Sequence, residues 1–206
     1  TKIVYDTIST KNSNRYILNI QNMWRTELSD QHFELSIFWP NNFPKLADSI
    51  SKDIHYLFSY NALVTRNRIS KWDRNTPEHC KFCLSNNIRE KENNMHAILF
   101  CPRISNFWQK MQNMFNNYNF TLNKKSKIFG LENNDKDIDK IMLNSAIQIS
   151  QITVWLTRKS FENNDLIIDP WKLFKTCLEK TFKLHKIYGN FTEKIGNFLN
   201  KLENIS

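Results

Sequence analysis

The chain has 206 residues, 40% hydrophobic and 13% aromatic, with a formal net charge of +9. These figures exclude a disordered tail and allow one large domain or two small ones, with a core that needs no disulfide staples. Only Gly130, Gly189 and Gly196 are glycines, which excludes glycine-rich phosphate loops and argues against a sheet with many tight hairpins.

Apolar residues recur at helical spacing almost throughout. Tyr16, Ile20, Met23, Trp24 and Leu28 form a first stripe. Ser29 is expected to cap a short following helix that stops at Pro40. Over residues 45–63, Leu46, Ile50, Ile54, Leu57, Phe58 and Leu63 define another stripe, and the polar, basic run TRNRISKWDRNTPEHC follows, with a turn at Pro77. Pro102 suits the first position of a helix whose stripe is Ile104, Phe107, Trp108, Met111 and Phe115. Residues 116–135 read as a linker with a short strand near Ile128 and Phe129. The longest helix candidate covers 136–161, with Ile138, Ile141, Met142, Ile149, Ile152, Trp155 and Leu156 along one side. Asp169-Pro170-Trp171 is a strong helix start, followed by Phe174, Leu178 and Phe182. A last helix opens near Asn190, where Glu193 completes a capping-box pattern.

The sum is a mostly α protein of about seven helices with an inserted CCHC zinc-knuckle-like module. Its expected organisation is an N-terminal helical segment (1–75), the zinc module with its following helix (76–116), a linker (117–135) and a C-terminal helical segment (136–206). No apolar run reaches the roughly 18 residues of a membrane span. No signal peptide is evident, and the chain opens at Thr1 without an initiator Met, as expected of a piece of a larger intracellular protein.

The stretch HCKFCLSNNIREKENNMHAILFCP holds three of the four cysteines. Its spacing is Cys80-x2-Cys83-x12-His96-x4-Cys101, four ligand types arranged as two pairs. Zinc takes four soft or borderline donors in a tetrahedron. A CxxC turn aims two sulfurs inward, and the polar loop between the pairs can stay at the surface. His96 and Cys101 lie about 140° apart on an ideal helix, so both reach one metal only if the helix breaks. Pro102 supplies the break by pushing Cys101 out of helical geometry. His79 is the alternative to His96, and a redox CxxC or buried free thiols are the alternatives to a metal. Cys177 falls mid-stripe and reads as core. Three thiolates and a His close the shell, and Ile98 stands where a deaminase would place a Glu, so the zinc reads as structural and the chain as non-catalytic.

Charge concentrates around this cluster. Arg66, Arg68, Lys71, Arg74, Lys81, Arg89, Lys91, Arg103 and Lys110 face only Asp73, Glu78, Glu90 and Glu92, giving this segment +5 of the formal +9. Such a balance favours a polyanion, of which nucleic acid is the commonest. Arginine grips phosphate with two hydrogen bonds, so Arg66, Arg68, Arg74 and Arg103 are expected to lead. Trp72 and Phe82 are interleaved with the charges and are candidates for base stacking; the alternative is that Phe82 covers the metal and Trp72 packs on it.

YNALVTRNRISKW at 60–72, EHCKFC at 78–83 and HAILFCPRISNFW at 96–108 together resemble the C-terminal zinc region of non-LTR (LINE-type) retrotransposon reverse transcriptases. AIQISQITVWLTRK and DPWKLF look similar to that family's tail, and the likeness is tightest over 55–110. The resemblance implies Cys80, Cys83, His96 and Cys101 as zinc ligands. It also implies a nucleic-acid-binding part of a larger protein that performs target-primed reverse transcription. On this reading RNA, DNA and the polymerase portion are partners, in a nuclear and cytoplasmic ribonucleoprotein. No paired-aspartate polymerase motif or nuclease constellation is evident in this stretch of chain. A structural, protein-interaction module docking on the polymerase or a host partner, a domesticated element included, is the alternative.

Overall fold

A computed structural model describes residues 13–35, 49–131, 138–164, 166–188 and 192–203. The fold is mostly α, as expected. Its described helices are α1 (Ser13–Leu28), α2 (Ser49–Ser59), α3 (Arg66–Ile69), α4 (Lys81–Leu84), α5 (Ser105–Asn116), α6 (Lys124–Phe129), α7 (Ile138–Asn164), α8 (Pro170–Tyr188) and α9 (Thr192–Glu203). A π turn at His96–Phe100 and a 3-10 turn at Pro102–Ile104 precede α5. Three of these nine described helices, α3, α4 and α6, are short ones that the apolar spacing did not indicate. Among the described residues the only β pairing is an isolated antiparallel bridge between His79 and Lys91. None of the described helices is long and apolar enough to cross a membrane.

The centre of the fold is α7, which contacts α2, α8, α4 and the π turn. Every residue from Met142 to Trp155 is buried, so the expected one-sided stripe is in fact a helix enclosed all round. Several of its polar residues bond within the protein. Ser145, Ser150, Thr153 and Thr157 hydroxyls donate to carbonyls three or four residues back, and Gln151 Nε2 donates to the Lys127 and Ile128 carbonyls at 2.8 and 3.0 Å. Leu156, placed on the stripe by spacing, is exposed.

Helix α2 presents a polar face to α7: Ser51, His55 and Ser59 are buried with Phe58, while Ile50 is exposed. The apolar spacing therefore pointed the helix the wrong way at Ile50. Aromatic rings fill the rest of the core. Trp24 packs edge-on against Phe58 and Phe129 and donates Nε1 to the Ser59 carbonyl at 2.6 Å. Phe107, Trp171 and Phe174 form a second ring cluster, and Phe174, Leu178 and Phe182 are fully enclosed. Burying each such side chain contributes about 1.5–3 kcal/mol.

Local chemistry sets the helix ends. Asp169 Oδ1 accepts from Trp171 N at 2.9 Å, the expected cap of α8. Ser29 does a different job from the one expected: at φ +53 it closes α1 in the left-handed region, with Asp30 N bonded back to the Arg25 carbonyl. The expected strand at Ile128 and Phe129 is helix α6, capped by the Asn123 side chain accepting from Ser126 N at 2.8 Å, with both apolar residues buried. Pro40, Leu46, Asn190 and the Ile138 side chain lie outside the described residues.

Candidate metal centre

Cys80 stands in extended geometry (ψ 122) just before α4, and its carbonyl accepts from Leu84 N at 2.9 Å. Cys83 follows within the single turn, so both sulfurs lie on one side. The intervening loop returns across two backbone bonds, Cys80 N to the Glu90 carbonyl at 2.8 Å and Glu92 N to the Glu78 carbonyl at 2.9 Å. His79 is used in this return, paired with Lys91, while His96 joins the sulfurs.

Asn93 starts the second ligand segment. Its side chain accepts from His96 N and its carbonyl from Ala97 N, both at 2.8 Å. The expected break at Cys101 is present, with ψ 127. The wider turn before it does the rest: Cys101 N bonds to the His96 carbonyl at 2.9 Å, an i→i+5 closure that sets Cys101 one turn on from His96. Trp108 Nε1 donates to the Ile98 carbonyl in this turn at 2.8 Å, so its packing position also satisfies a backbone acceptor.

Cys80, Cys83, His96 and Cys101 are all buried, and their donor atoms lie within 4.8 Å of one another. Cys101 Sγ is 3.9 Å from Cys80 Sγ and 3.7 Å from Cys83 Sγ, and His96 Nε2 is 3.4 Å from Cys83 Sγ. The sulfurs are too far apart for a disulfide, whose S–S length is about 2.05 Å. A tetrahedral ion with metal–sulfur bonds of about 2.3 Å needs sulfur–sulfur edges of about 3.8 Å. The donor set therefore fits a metal ion in both chemistry and size.

The electrostatics favour negative charge at one sulfur. Contact with Cys101, opposed by burial and aided by His96 and the Arg158 guanidinium, holds the Cys80 thiol down at about 2. Burial and the Cys80 charge push Cys83 up to about 11, and the contact with Cys80 followed by burial raises Cys101 as well. A bound cation would favour the thiolate form of all three sulfurs.

Arg158 and Glu92 complete the surroundings, and neither was expected there. Arg158 reaches from α7, 2% exposed, and its Nη2 donates to Cys80 Sγ at 3.1 Å and to the Glu92 carboxylate. Its guanidinium also lies 5.4 Å from the Phe82 ring centre. Burial raises the Glu92 carboxyl, and the Arg158 charge opposes that rise. Glu92 is thus no surface counter-charge: it is fully buried and also accepts from Arg66 N at 3.1 Å. Residues 141–157 carry no charge at all, so a lone arginine directly after that run was the available signal.

The expected nucleic-acid residues divide by their contacts. Phe82 is not available for base stacking, because it is 6% exposed and stacked on Phe161 at 4.5 Å. Lys81 donates to the Phe161 and Glu162 carbonyls, and half-buried Lys110 lies over the Trp171 ring. Arg66 Nε donates to the Pro77 carbonyl and Arg68 to the Asn61 carbonyl, so both also brace loops. Exposed Arg103 donates to Ser85 and Asn86 across the ligand loop, and Lys91 pairs with Glu78 at 3.0 Å. Lys71, Arg74 and Arg89 are exposed, as is Trp72 at 64%.

Comparison of the chain with protein-family models, with curated proteins and with solved structures gives no match.

Proposed function

We propose that the chain is a zinc-stabilised, non-catalytic nucleic-acid-binding module, the C-terminal part of a LINE-type reverse transcriptase that positions template RNA or target DNA. The observation that carries the reading is a closed, buried Cys3His donor set surrounded by exposed cations. Three sulfurs and one imidazole suit zinc best among common ions. Four protein donors leave no open position for a substrate or activated water, which supports a structural role. Cys80, Cys83, His96 and Cys101 would hold the ion, and the ion would supply a rigid crosslink between α4 and the π turn. The chain's own residues then do the binding: Arg74, Arg89 and Arg103 offer planar donor forks to phosphates, and Lys71 and Lys91 offer point charges. The link to the retrotransposon family rests on the sequence resemblance over 55–110.

Filter binding of the metal-loaded chain to single-stranded RNA, single-stranded DNA and duplex DNA at two salt concentrations tests this reading. The variant Arg74→Ala with Arg89→Ala removes two exposed guanidiniums and no hydrogen bond among the described residues. It is expected to weaken binding to every nucleic acid and lower the duplex salt slope by roughly 1–2. Equal affinity and slope in variant and wild type would overturn the basic-face reading. Capture of a protein without any nucleic-acid binding would point instead to a docking module.

A further inference from the structure

A groove of about 590 Å³ lies beside the ligand loop, between α1, the chain around Tyr60 to Trp72, and Asn93–Asn94. That volume is within the usual range for small-molecule sites. Its lining has one sign of charge: Arg68 and Lys71 contribute cations, and no carboxylate lines it. Trp72 forms part of the wall with its ring 64% exposed to solvent. Asn94 also lines the groove. It is only 4% exposed, and its Nδ2 has no hydrogen-bond partner among the described residues. Buried donors are almost always satisfied, so this amide, on a residue of the groove wall, is left to bond an acceptor once its side chain turns into the groove.

We propose that this groove takes one unpaired nucleotide of a single strand, with its base stacked on Trp72, an acceptor on the base edge meeting Asn94 Nδ2, and its phosphate meeting Lys71 and Arg68. The inference rests on the nucleic-acid reading and narrows it. A flat exposed indole matches the π-face common to all bases, whereas a stacked duplex keeps its base faces covered. A buried amide donor reads a base edge without requiring charge. The cations beside the ring suit a phosphodiester, and the lack of carboxylates disfavours a basic peptide.

The test uses the metal-loaded full chain with oligouridylate, oligothymidylate, a fully abasic strand of equal length and a DNA duplex. The two homopolymers separate RNA from DNA. Trp72→Ala is expected to weaken both homopolymers about tenfold and to leave the abasic strand and duplex unchanged, and Trp72→Phe should recover most of the loss. Asn94→Leu should weaken the homopolymers in the same selective way, with metal content unchanged. If Trp72→Ala binds the homopolymers like wild type while Arg74→Ala with Arg89→Ala weakens them, the groove inference falls and the nucleic-acid reading stands. An equal loss on all four probes assigns Trp72 to general binding and also overturns the inference. Failure of the wild type on every probe removes both.

Discussion

Two regions of this molecule are held by different physics. The helices α1, α2, α7 and α8 bury rings and aliphatic side chains against one another, and their positions follow from apolar area. The ligand region, from Pro77 to Ile104, is built of single turns, a bridge and a π turn. None of those pieces is long enough to be stable by itself. Their geometry follows from where three sulfurs and one imidazole converge. Arg158, rooted in α7, joins the two regimes at the ligands themselves by touching Cys80 and Glu92, while Lys81 and Phe82 meet Phe161 of the same helix. The difference teaches that the ligand region should respond to chemistry that leaves the helices untouched, and that Arg158 should transmit between them.

The largest effect expected is from metal removal. Binding to structural sites in small zinc domains is worth on the order of 10 kcal/mol, and that free energy is coupled to folding. Chelation, or Cys83→Ser, should therefore abolish amide-exchange protection over about residues 77–104 while much of the protection in α8 survives. Collapse of α8 in the same transition would break the distinction between the regions. Purified protein without bound metal, with melting unaffected by chelator, would remove the metal centre altogether.

Next in size is the buried pair. Arg158→Met leaves a buried carboxylate uncompensated, which should cost about 3–5 kcal/mol in denaturant unfolding. Adding Glu92→Leu should restore part of that loss, since a well-packed apolar pair removes the unpaired charge. A wild-type unfolding midpoint for Arg158→Met alone would show that the helices and the ligand region are not linked through this side chain.

The ligand set was legible because each part of it is local: CxxC, the His-x4-Cys spacing and the effect of Pro102 are read within a few residues. The i→i+5 closure was not, since it depends on Cys101 and His96 being drawn to one point. Glu92 and Arg158 are 66 residues apart, and no periodicity connects them. Phe82 looked like a surface ring because its neighbours are charged, yet Lys81 and Arg158 turn inward with it. Long helices were read correctly from apolar spacing and caps, whereas α6 was missed because the burial of Ile128 and Phe129 comes from packing rather than local pattern. On α2, apolar spacing favoured Ile50, but hydrogen bonding to α7 favoured His55.

His55 sharpens the comparison from the helical side. Gln151 donates its Nε2 to two carbonyls, so its Oε1 accepts, and His55 Nδ1 donates to it at 2.9 Å. Burial, opposed by this bond, lowers the His55 pKa to about 4 from its ordinary 6.5. The folded chain thus binds fewer protons than the unfolded chain between these values. The stability contribution is complete above pH 6.5 and is lost as pH falls toward 4, by about 3 kcal/mol in all. Acid also protonates the cysteines, so the measurement is the difference between wild type and His55→Asn in unfolding free energy across this window. A shallower slope for the variant is expected; equal slopes would assign the whole acid response to the ligand region.

The smallest effect expected is at Gly130, which ends α6 at φ +85 and ψ −177, a region open essentially to glycine alone. A Cβ there would lie 2.7 Å from Asn144 Oδ1. Asn144 cannot move aside without loss, because it holds the Leu131 backbone with both ends of its amide, at 2.6 and 3.0 Å. Gly130→Ala should therefore lower stability by about 2 kcal/mol, through backbone strain and the displaced amide together. For a chain of this size that corresponds to a fall in Tm of about 4–8 °C. Since Gly130 belongs to the apolar side of the molecule, the metal affinity of the folded variant should match that of the wild type. A Tm unchanged by the substitution would contradict the Gly130–Asn144 packing, and a weakened metal site would show that strain at the end of α6 reaches the cysteines through α7.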